Sequence, residues 1–252
     1  MAEERKSLAS DCNFVIESSV RNDTAAWYHR YTSEKGSLRN DLLENPGVLF
    51  QDLAFTVSCI SALRATRINR ASSRILDVGC GEGGSLIRFL RLEFEPSLLY
   101  GIDILNERIE EGRRKLPNIN WACGDAASMQ YDDNTFDIVY ESTMFVQIID
   151  EFLAERIANE MLRVVKPGGY VVLSDWRYSM PNDTRYKALS KRRISSLFHV
   201  GSQSIICATY KGALIPLLGR FLSMYAPSLY FPICRIFPFL VGQTTTVLQK
   251  QR

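Results

Sequence analysis

The sequence RILDVGCGEGG, residues 74–84, joins a short apolar run to a turn that contains four glycines. Glycine lacks a Cβ atom, so the backbone of such a turn can bend sharply and approach a ligand closely. A helical pattern follows, with Leu86, Ile87, Phe89 and Leu90. The free N–H groups at the start of a helix favour an anionic part of a ligand. We therefore predict a strand, a ligand-binding turn and a helix, in that order.

Short apolar runs alternate with amphipathic segments on both sides of this turn. The runs are residues 74–78, 98–102, 119–122, 137–140 and 170–173, and a β-branched run at 243–248 adds a further strand. Strands that alternate with helices at this spacing indicate parallel βαβ units with right-handed crossovers. The predicted fold class is α/β, with a doubly wound, mostly parallel sheet.

The two ends of the chain have a different pattern. Residues 1–71 are predicted to form an N-terminal helical segment, since apolar residues recur at three- and four-residue steps after the turn at 45–47. Residues 72–252 are predicted to form the ligand-binding domain. Within it, residues 177–242 form an apolar insertion before the last strand.

Composition excludes several classes of protein. The net charge of +2 comes from 30 basic and 28 acidic residues, so overall charge gives no case for a nucleic-acid partner. Six scattered cysteines without CxxC spacing and two histidines favour reduced thiols, no metal site and a cytoplasmic location. The polar N-terminus is unlike a secretory signal. The sequence contains no uninterrupted apolar stretch of about 18 residues, so we expect no membrane-spanning helix.

Two kinds of ligand fit the glycine turn. Gly79, Gly81 and Gly84 satisfy G-x-G-x-x-G, the dinucleotide fingerprint of nicotinamide oxidoreductases. For either kind of ligand, an acidic residue is expected about 20 residues after the turn, at the end of the second strand, where it would hold ribose hydroxyls. Asp103 has that position, although it could instead cap the helix that follows.

Four motifs in order favour one family. DVGCGEG at 77–83, GDA at 124–126, FDIV at 136–139 and LRVVKPGG at 162–169 together resemble the small-molecule branch of class I S-adenosylmethionine-dependent methyltransferases. The resemblance covers residues 74 to 176 and implies a seven-stranded sheet with the cofactor S-adenosylmethionine. Glu82 agrees, because its charge would repel the two phosphates of a dinucleotide but not a sulfonium.

The resemblance also implies roles for individual residues. Asp77, Gly79, Gly81 and Gly83 would surround the methionyl portion of the cofactor, and Asp103 would hold the ribose. Ile104, Asp125 and Ala126 would contact the adenine, and Glu141 would lie near the reacting end. As members of this family often cover the cofactor with an N-terminal lid, Tyr31 and Arg39 are further candidates.

A hydroxyl acceptor would need a general base. The candidates are His29, Glu141 and Asp175. His29 could face the acceptor from the N-terminal lid, or be an ordinary packed or surface histidine. Glu141 could equally be an exposed loop acid, and Asp175 a loop cap at the end of the fifth strand.

The resemblance does not select the acceptor. The pattern is similar to bacterial methyltransferases of polysaccharide and secondary pathways, which favours O-methylation of a small hydroxylated acceptor such as a sugar. The alternative acceptor is a lipid or isoprenoid. The apolar residues at 214–242 could complete the core, line an acceptor pocket, or contact a membrane surface or lipid carrier. A cofactor-binding module without catalysis is the alternative from another class.

Overall fold

The computed structural model describes residues 40–179 and 183–252, together with Ala26. Among these residues the main helices and strands, numbered in chain order, are α1 (Pro46–Thr66), β1 (Ile75–Val78), α2 (Gly84–Arg91), β2 (Leu99–Asp103), α3 (Asn106–Lys115), β3 (Asn120–Cys123), β4 (Phe136–Ser142), α4 (Glu151–Val164), β5 (Val165–Trp176), α5 (Lys191–Leu197), β6 (Ser204–Lys211), α6 (Pro216–Tyr225), α7 (Tyr230–Ile236) and β7 (Gln243–Lys250).

The strands form one seven-stranded sheet in the order β3-β2-β1-β4-β5-β7-β6. β1 to β5 pair in parallel, whereas β7 is antiparallel to both β5 and β6. The chain order reverses beside β1, which lies between β2 and β4. In open α/β sheets, ligands bind at the carboxyl ends of the strands at such a switch point. The topology therefore places the glycine turn, which follows β1, at the expected ligand edge.

Helices cover both faces of the sheet. On one face, α1, α2 and α3 contribute buried residues such as Ala62, Phe89 and Ile109 to a core shared with the strands. On the other, α4 and α5 contribute Met161 and Ile194. The doubly wound α/β fold and the seven-stranded sheet predicted from the sequence are confirmed.

The predicted insertion at 177–242 contains a strand that the sequence pattern did not reveal. Residues 204–211 form β6, which pairs with β7 at the edge of the sheet. Its side chains alternate between exposed and partly covered positions, so it lacks the continuous apolar run of the central strands. The described residues 183–203, which include α5, and residues 212–242, which include α6 and α7, lie outside the strands of the sheet.

The helix predicted after residue 45 is confirmed as α1, but its largest apolar side chains do not mark the buried face. Leu49, Leu53 and Val57 are exposed, while small residues such as Ala54, Ser58 and Ala62 are buried. Ser58 Oγ lies 2.9 Å from Thr245 Oγ1 of β7. Small residues allow this close approach of the helix to the sheet.

By length and composition alone, α1 could cross a membrane. In this fold it packs against β6, β7 and α6. The Ser223 hydroxyl of α6 donates to the Pro46 carbonyl and accepts from the Phe50 N–H at 3.2 Å. These contacts are those of a core helix, which passes the same test of length and hydropathy.

Candidate functional site

The turn after β1 is built on backbone conformations that favour glycine. Gly79, Gly81 and Gly83 have φ values of +69°, +54° and +92°, in the region that side chains with a Cβ atom rarely adopt. A Cβ atom at Gly79 would lie 2.9 Å from Met144 Sδ, and one at Gly83 would lie 2.6 Å from the Trp121 ring. The turn thus exposes backbone rather than side chains at the sheet edge.

Asp103, at the end of β2, holds this turn in place. Its Oδ2 atom accepts from the Gly81 N–H at 2.8 Å, and its Oδ1 atom accepts from the Leu105 N–H at 2.9 Å. Each carboxylate oxygen can accept more than one hydrogen bond, so both keep capacity for ribose hydroxyls. Asp103, the carboxylate that the sequence predicts for this site, therefore lies next to the glycine turn.

The loop after β3 joins the same edge. The Gly124 N–H donates to the Asp103 carbonyl at 3.0 Å, and Asp125 Oδ1 accepts from the Ala127 N–H at 2.8 Å. Ile104 is half-buried between the two loops, where the Cys123 thiol contacts its carbonyl at 3.8 Å. The structure brings the predicted adenine and ribose residues together, and their individual contacts with a cofactor stay predictions.

Asp77 fits a cationic ligand group. It lies within β1, just before the turn, and is 1% exposed. Its Oδ2 atom has no hydrogen-bond partner among the described residues. Burial and the nearby Asp103 raise the pKa of Asp77 well above its usual range. An ammonium group would satisfy this oxygen, since an unpaired buried carboxylate is costly.

Glu82 lies away from the centre of the site. Its Oε2 atom accepts from Lys115 Nζ of α3 at 2.6 Å, and the side chain is 44% exposed. The carboxylate of Glu82 therefore does not close the turn. Because Lys115 partly neutralises its charge, Glu82 would repel the phosphates of a dinucleotide less than the sequence alone suggests.

Comparison with known proteins agrees with this geometry. Residues 75–169, from β1 into β5, match the family model described as a methyltransferase domain. Residues 75–169 of the chain therefore form a class I S-adenosylmethionine-dependent methyltransferase domain. The glycine turn, Asp77 and Asp103 lie within the matched residues, and their contacts with S-adenosylmethionine, the cofactor of this domain, stay predictions.

Two relatives are methyltransferases by name. The phthiotriol/phenolphthiotriol dimycocerosates methyltransferase of Mycobacterium leprae is 30% identical over 145 residues, which are 52% of this chain and 51% of the relative. The fatty-acid O-methyltransferase of Mycolicibacterium smegmatis is 32% identical over 143 residues, 52% of this chain and 50% of the relative. The chain thus spans about half the length of the relatives it matches.

The fold is also found in solved structures. The crystal structure of the [4+2]-cyclase SpnF aligns with this chain at a TM-score of 0.57 and 19% sequence identity. The alignment covers 80% of this chain and 82% of the SpnF chain. This similarity shows the methyltransferase domain's fold and leaves its chemistry to the site residues.

Glu141 and Asp175, two predicted catalytic residues, lie buried behind the loop that follows β4. Glu141 Oε2 accepts from the Met144 N–H at 3.1 Å, and Asp175 Oδ2 accepts from the Val146 N–H at 2.8 Å. Arg193 fixes the same loop by donating to the Phe145 carbonyl at 3.0 Å. These contacts favour a positioning role for the carboxyl pair. A role as general base stays a prediction.

The two carboxyls make the stability of the methyltransferase domain depend on pH. Burial and the neighbouring Asp175 raise the pKa of Glu141 well above its usual range, and burial raises the pKa of Asp175 to about 7. The folded chain thus keeps protons that the unfolded chain releases near pH 4. The free energy of unfolding must fall as the pH rises from there through the folded-state pKa values.

We expect Glu141→Gln to remove part of this dependence, because glutamine cannot ionise. The Tm of the variant minus that of the wild type should be larger at pH 8 than at pH 5, measured by circular dichroism. Glu155→Gln, at an exposed position of α4, is the matched control and should show no such trend. A Tm difference for Glu141→Gln that is constant with pH would show that Glu141 is ionised in the folded protein.

A cavity of about 960 Å³ opens at the carboxyl ends of β4 and β5. Ser142 and Thr143, which directly follow Glu141 at the carboxyl end of β4, line its inner end, and Arg88 of α2 lines it too. Glu141 is paired with β1 through Val78, the residue before Gly79. The cavity therefore reaches the end of the strand that lies beside β1, and the glycine turn follows β1.

One wall of the cavity is apolar and aromatic. It includes Phe55 of α1, Trp176 at the end of β5, and Ile215 and Leu217 at the start of α6. The Phe55 and Trp176 rings pack edge to face, with 5.8 Å between their centroids. Sequence reasoning named Asp175 and missed Trp176, although a residue at the carboxyl end of a central strand is well placed to meet a ligand.

His29, Tyr31 and Arg39 lie outside the described residues. Asn40, the first residue of the described stretch, lines the cavity. Its Oδ1 atom accepts from Arg220 Nη2 of α6 at 3.3 Å. The three predictions for the N-terminal lid stay predictions.

Proposed function

We propose that this protein transfers the methyl group of S-adenosylmethionine to an oxygen of a small, lipid-like acceptor that carries a hydroxyl or carboxyl group. The observation that carries the proposal is the cavity at the carboxyl ends of β4 and β5, with the polar residues Ser142 and Thr143 and an apolar wall of Phe55, Trp176 and Leu217. An amphiphile would place its oxygen beside Thr143 and its hydrocarbon along that wall. The names of the two relatives, a lipid and a fatty-acid methyltransferase, support this acceptor class over a sugar.

The chain's own contribution to such a transfer is positioning. S-adenosylmethionine supplies a methyl group on a good leaving group, so alignment of the acceptor oxygen and exclusion of water account for most of the catalysis. The loop after β4, held by Glu141, Asp175 and Arg193, fixes the inner end of the cavity. The acceptor's proton passes to a base or to water, and His29 remains a candidate base.

Transfer of labelled methyl groups tests the proposal. The protein is incubated with methyl-labelled S-adenosylmethionine and either long-chain fatty acids, hydroxylated lipids, quinols or free sugars. We expect label in one of the organic-soluble acceptors. Label found only in sugars would contradict the acceptor class. Cofactor binding without transfer to any acceptor would favour a binding module, and stabilisation by NAD(P)H alone would favour an oxidoreductase.

Trp176→Ala tests the position of the acceptor. Removing the indole ring deletes apolar contact area, and burying an aromatic side chain is worth roughly 1.5–3 kcal/mol. We expect the KM of the lipid-like acceptor to rise about tenfold or more, while the Kd of S-adenosylmethionine stays within about twofold. Phe152→Ala, at an exposed aromatic residue of α4, is the control. An unchanged KM for Trp176→Ala would place the acceptor elsewhere.

A further inference from the structure

Charge is divided unequally along the chain. All 28 acidic residues lie in the first 183 positions, and the 69 residues from 184 to 252 contain ten Lys and Arg and no Asp or Glu. The two parts therefore carry formal charges of −8 (20 basic, 28 acidic) and +10 (10 basic, 0 acidic). The basic part contains α5, β6, α6, α7 and β7, and five of its ten basic residues lie at positions 185–193, before β6.

The same part presents its apolar side chains to solvent. On α6, Leu217, Phe221 and Tyr225 recur every four residues, so they share one helix face, and they are 87%, 57% and 69% exposed. Further large apolar residues are exposed around α7, namely Leu229, Phe231, Ile236, Phe237 and Phe239. An exposed apolar patch of this extent marks an interaction surface.

Basic residues flank the patch. Arg235 lies exposed on α7, and Lys211 lies exposed at the end of β6, next to Gly212, whose carbonyl contacts the Cys234 thiol of α7 at 4.0 Å. Arg220 belongs to α6 and lies between Leu217 and Phe221 in the sequence. Arg220 Nη2 donates to Asn40, and the acidic residues Asp41 and Glu44 follow Asn40 in the sequence. Apolar side chains flanked by basic residues fit the surface of an anionic membrane.

The patch and the acceptor cavity share residues. Ile215, Pro216, Leu217 and Arg220 line the cavity, and Leu217 is also the most exposed apolar residue of α6. A surface that covers the outer face of α6 would therefore lie at the mouth of the cavity. A lipid-like acceptor could then move between the two without crossing bulk water.

We propose that α6, α7 and the turn at residues 237–240 dock on an anionic phospholipid bilayer and that the cavity receives its acceptor from that surface. The second part rests on the proposed function, because it needs a lipid-like acceptor. The first part stands on the exposed apolar face and the acid-free basic segment. A second copy of this chain fits the face less well, since two such faces would bring Lys211, Arg220 and Arg235 of one copy against the same basic residues of the other.

Vesicle flotation tests the docking. The full chain is mixed with vesicles of phosphatidylcholine, with or without phosphatidylglycerol. We expect the bound fraction to rise with phosphatidylglycerol and to fall with added salt. Phe221→Ser combined with Phe239→Ser, and separately Lys211→Glu combined with Arg235→Glu, should each weaken binding about tenfold or more. Phe152→Ser, which removes an equally exposed aromatic ring from α4, should bind as the wild type does.

Three results would overturn the docking proposal. They are equal binding to both kinds of vesicle, full binding by the Phe221/Phe239 variant, and a wild-type dimer in solution that this variant breaks without any vesicle binding. Methyl transfer to a detergent-dispersed acceptor is measured on the same proteins. Vesicle binding without any transfer would leave docking supported and contradict the proposed function, and transfer without vesicle binding would do the reverse.

Discussion

Asp103→Ala is expected to weaken the binding of S-adenosylmethionine by about a hundredfold or more. The carboxylate holds the Gly81 and Leu105 N–H groups at 2.8 and 2.9 Å, so its loss frees the turn as well as removing the acceptor for ribose hydroxyls. Hydrogen bonds to a charged group contribute about 1.5–3 kcal/mol each, and about 2.7 kcal/mol corresponds to a hundredfold. Isothermal titration calorimetry measures the loss, with circular dichroism confirming the fold.

Asp103→Asn should weaken the binding of S-adenosylmethionine nearly as much as Asp103→Ala does. Because asparagine has almost the size of aspartate, this variant separates the effect of hydrogen bonding from that of side-chain size. The amide has one accepting oxygen and one donating nitrogen, so the nitrogen would face either the Gly81 or the Leu105 N–H. Asp132→Ala, at an exposed acid before β4, should bind the cofactor normally. If Asp103→Ala bound within about threefold of the wild type, Asp103 would not hold the ribose.

Gly83→Ala is expected to lower the free energy of unfolding by roughly 2–6 kcal/mol and to abolish cofactor binding. The φ of +92° strains any residue with a Cβ atom, at a cost of about 1–3 kcal/mol. The new methyl group would also lie 2.6 Å from the Trp121 ring. That ring is fixed by its Nε1–H bond to the Leu116 carbonyl at 3.1 Å, so overpacking adds about 1–3 kcal/mol.

Two other glycines separate these causes. Gly168 has a φ of +77° but open space around its Cβ position, and Gly84 has neither a positive φ nor a neighbour within 4 Å. Gly168→Ala should show the backbone strain alone and keep cofactor binding, and Gly84→Ala should be close to neutral. Urea denaturation ranks the three variants. Equal stability of Gly83→Ala and Gly84→Ala would contradict the described conformation of the turn.

The central strands and the glycine turn could be predicted because their signals are local. Ile75, Leu76 and Val78 are buried in the centre of the sheet, where apolar side chains are favoured, and the positive φ values of the turn favour glycine at fixed positions. Asp103 follows from the same logic, since it ends the strand next to β1.

Features that depend on distant packing could not be predicted. α1 buries Ala54 and Ser58 rather than Leu53 and Val57 because of its close approach to β7 and α6, which sequence spacing does not record. β6 is an edge strand without a fully apolar run. The cavity combines α1, the loop after β4, the end of β5 and the start of α6, which meet only in the folded chain.

The central claim is that the turn after β1 and the carboxylate at the end of β2 hold S-adenosylmethionine, and titration calorimetry on the folded chain tests it most directly. The account predicts saturable binding of S-adenosylmethionine and of S-adenosylhomocysteine at one site per chain, lost in Asp103→Ala and kept in Asp132→Ala. Absence of binding heat for both ligands at several temperatures, with well-folded protein, would contradict it.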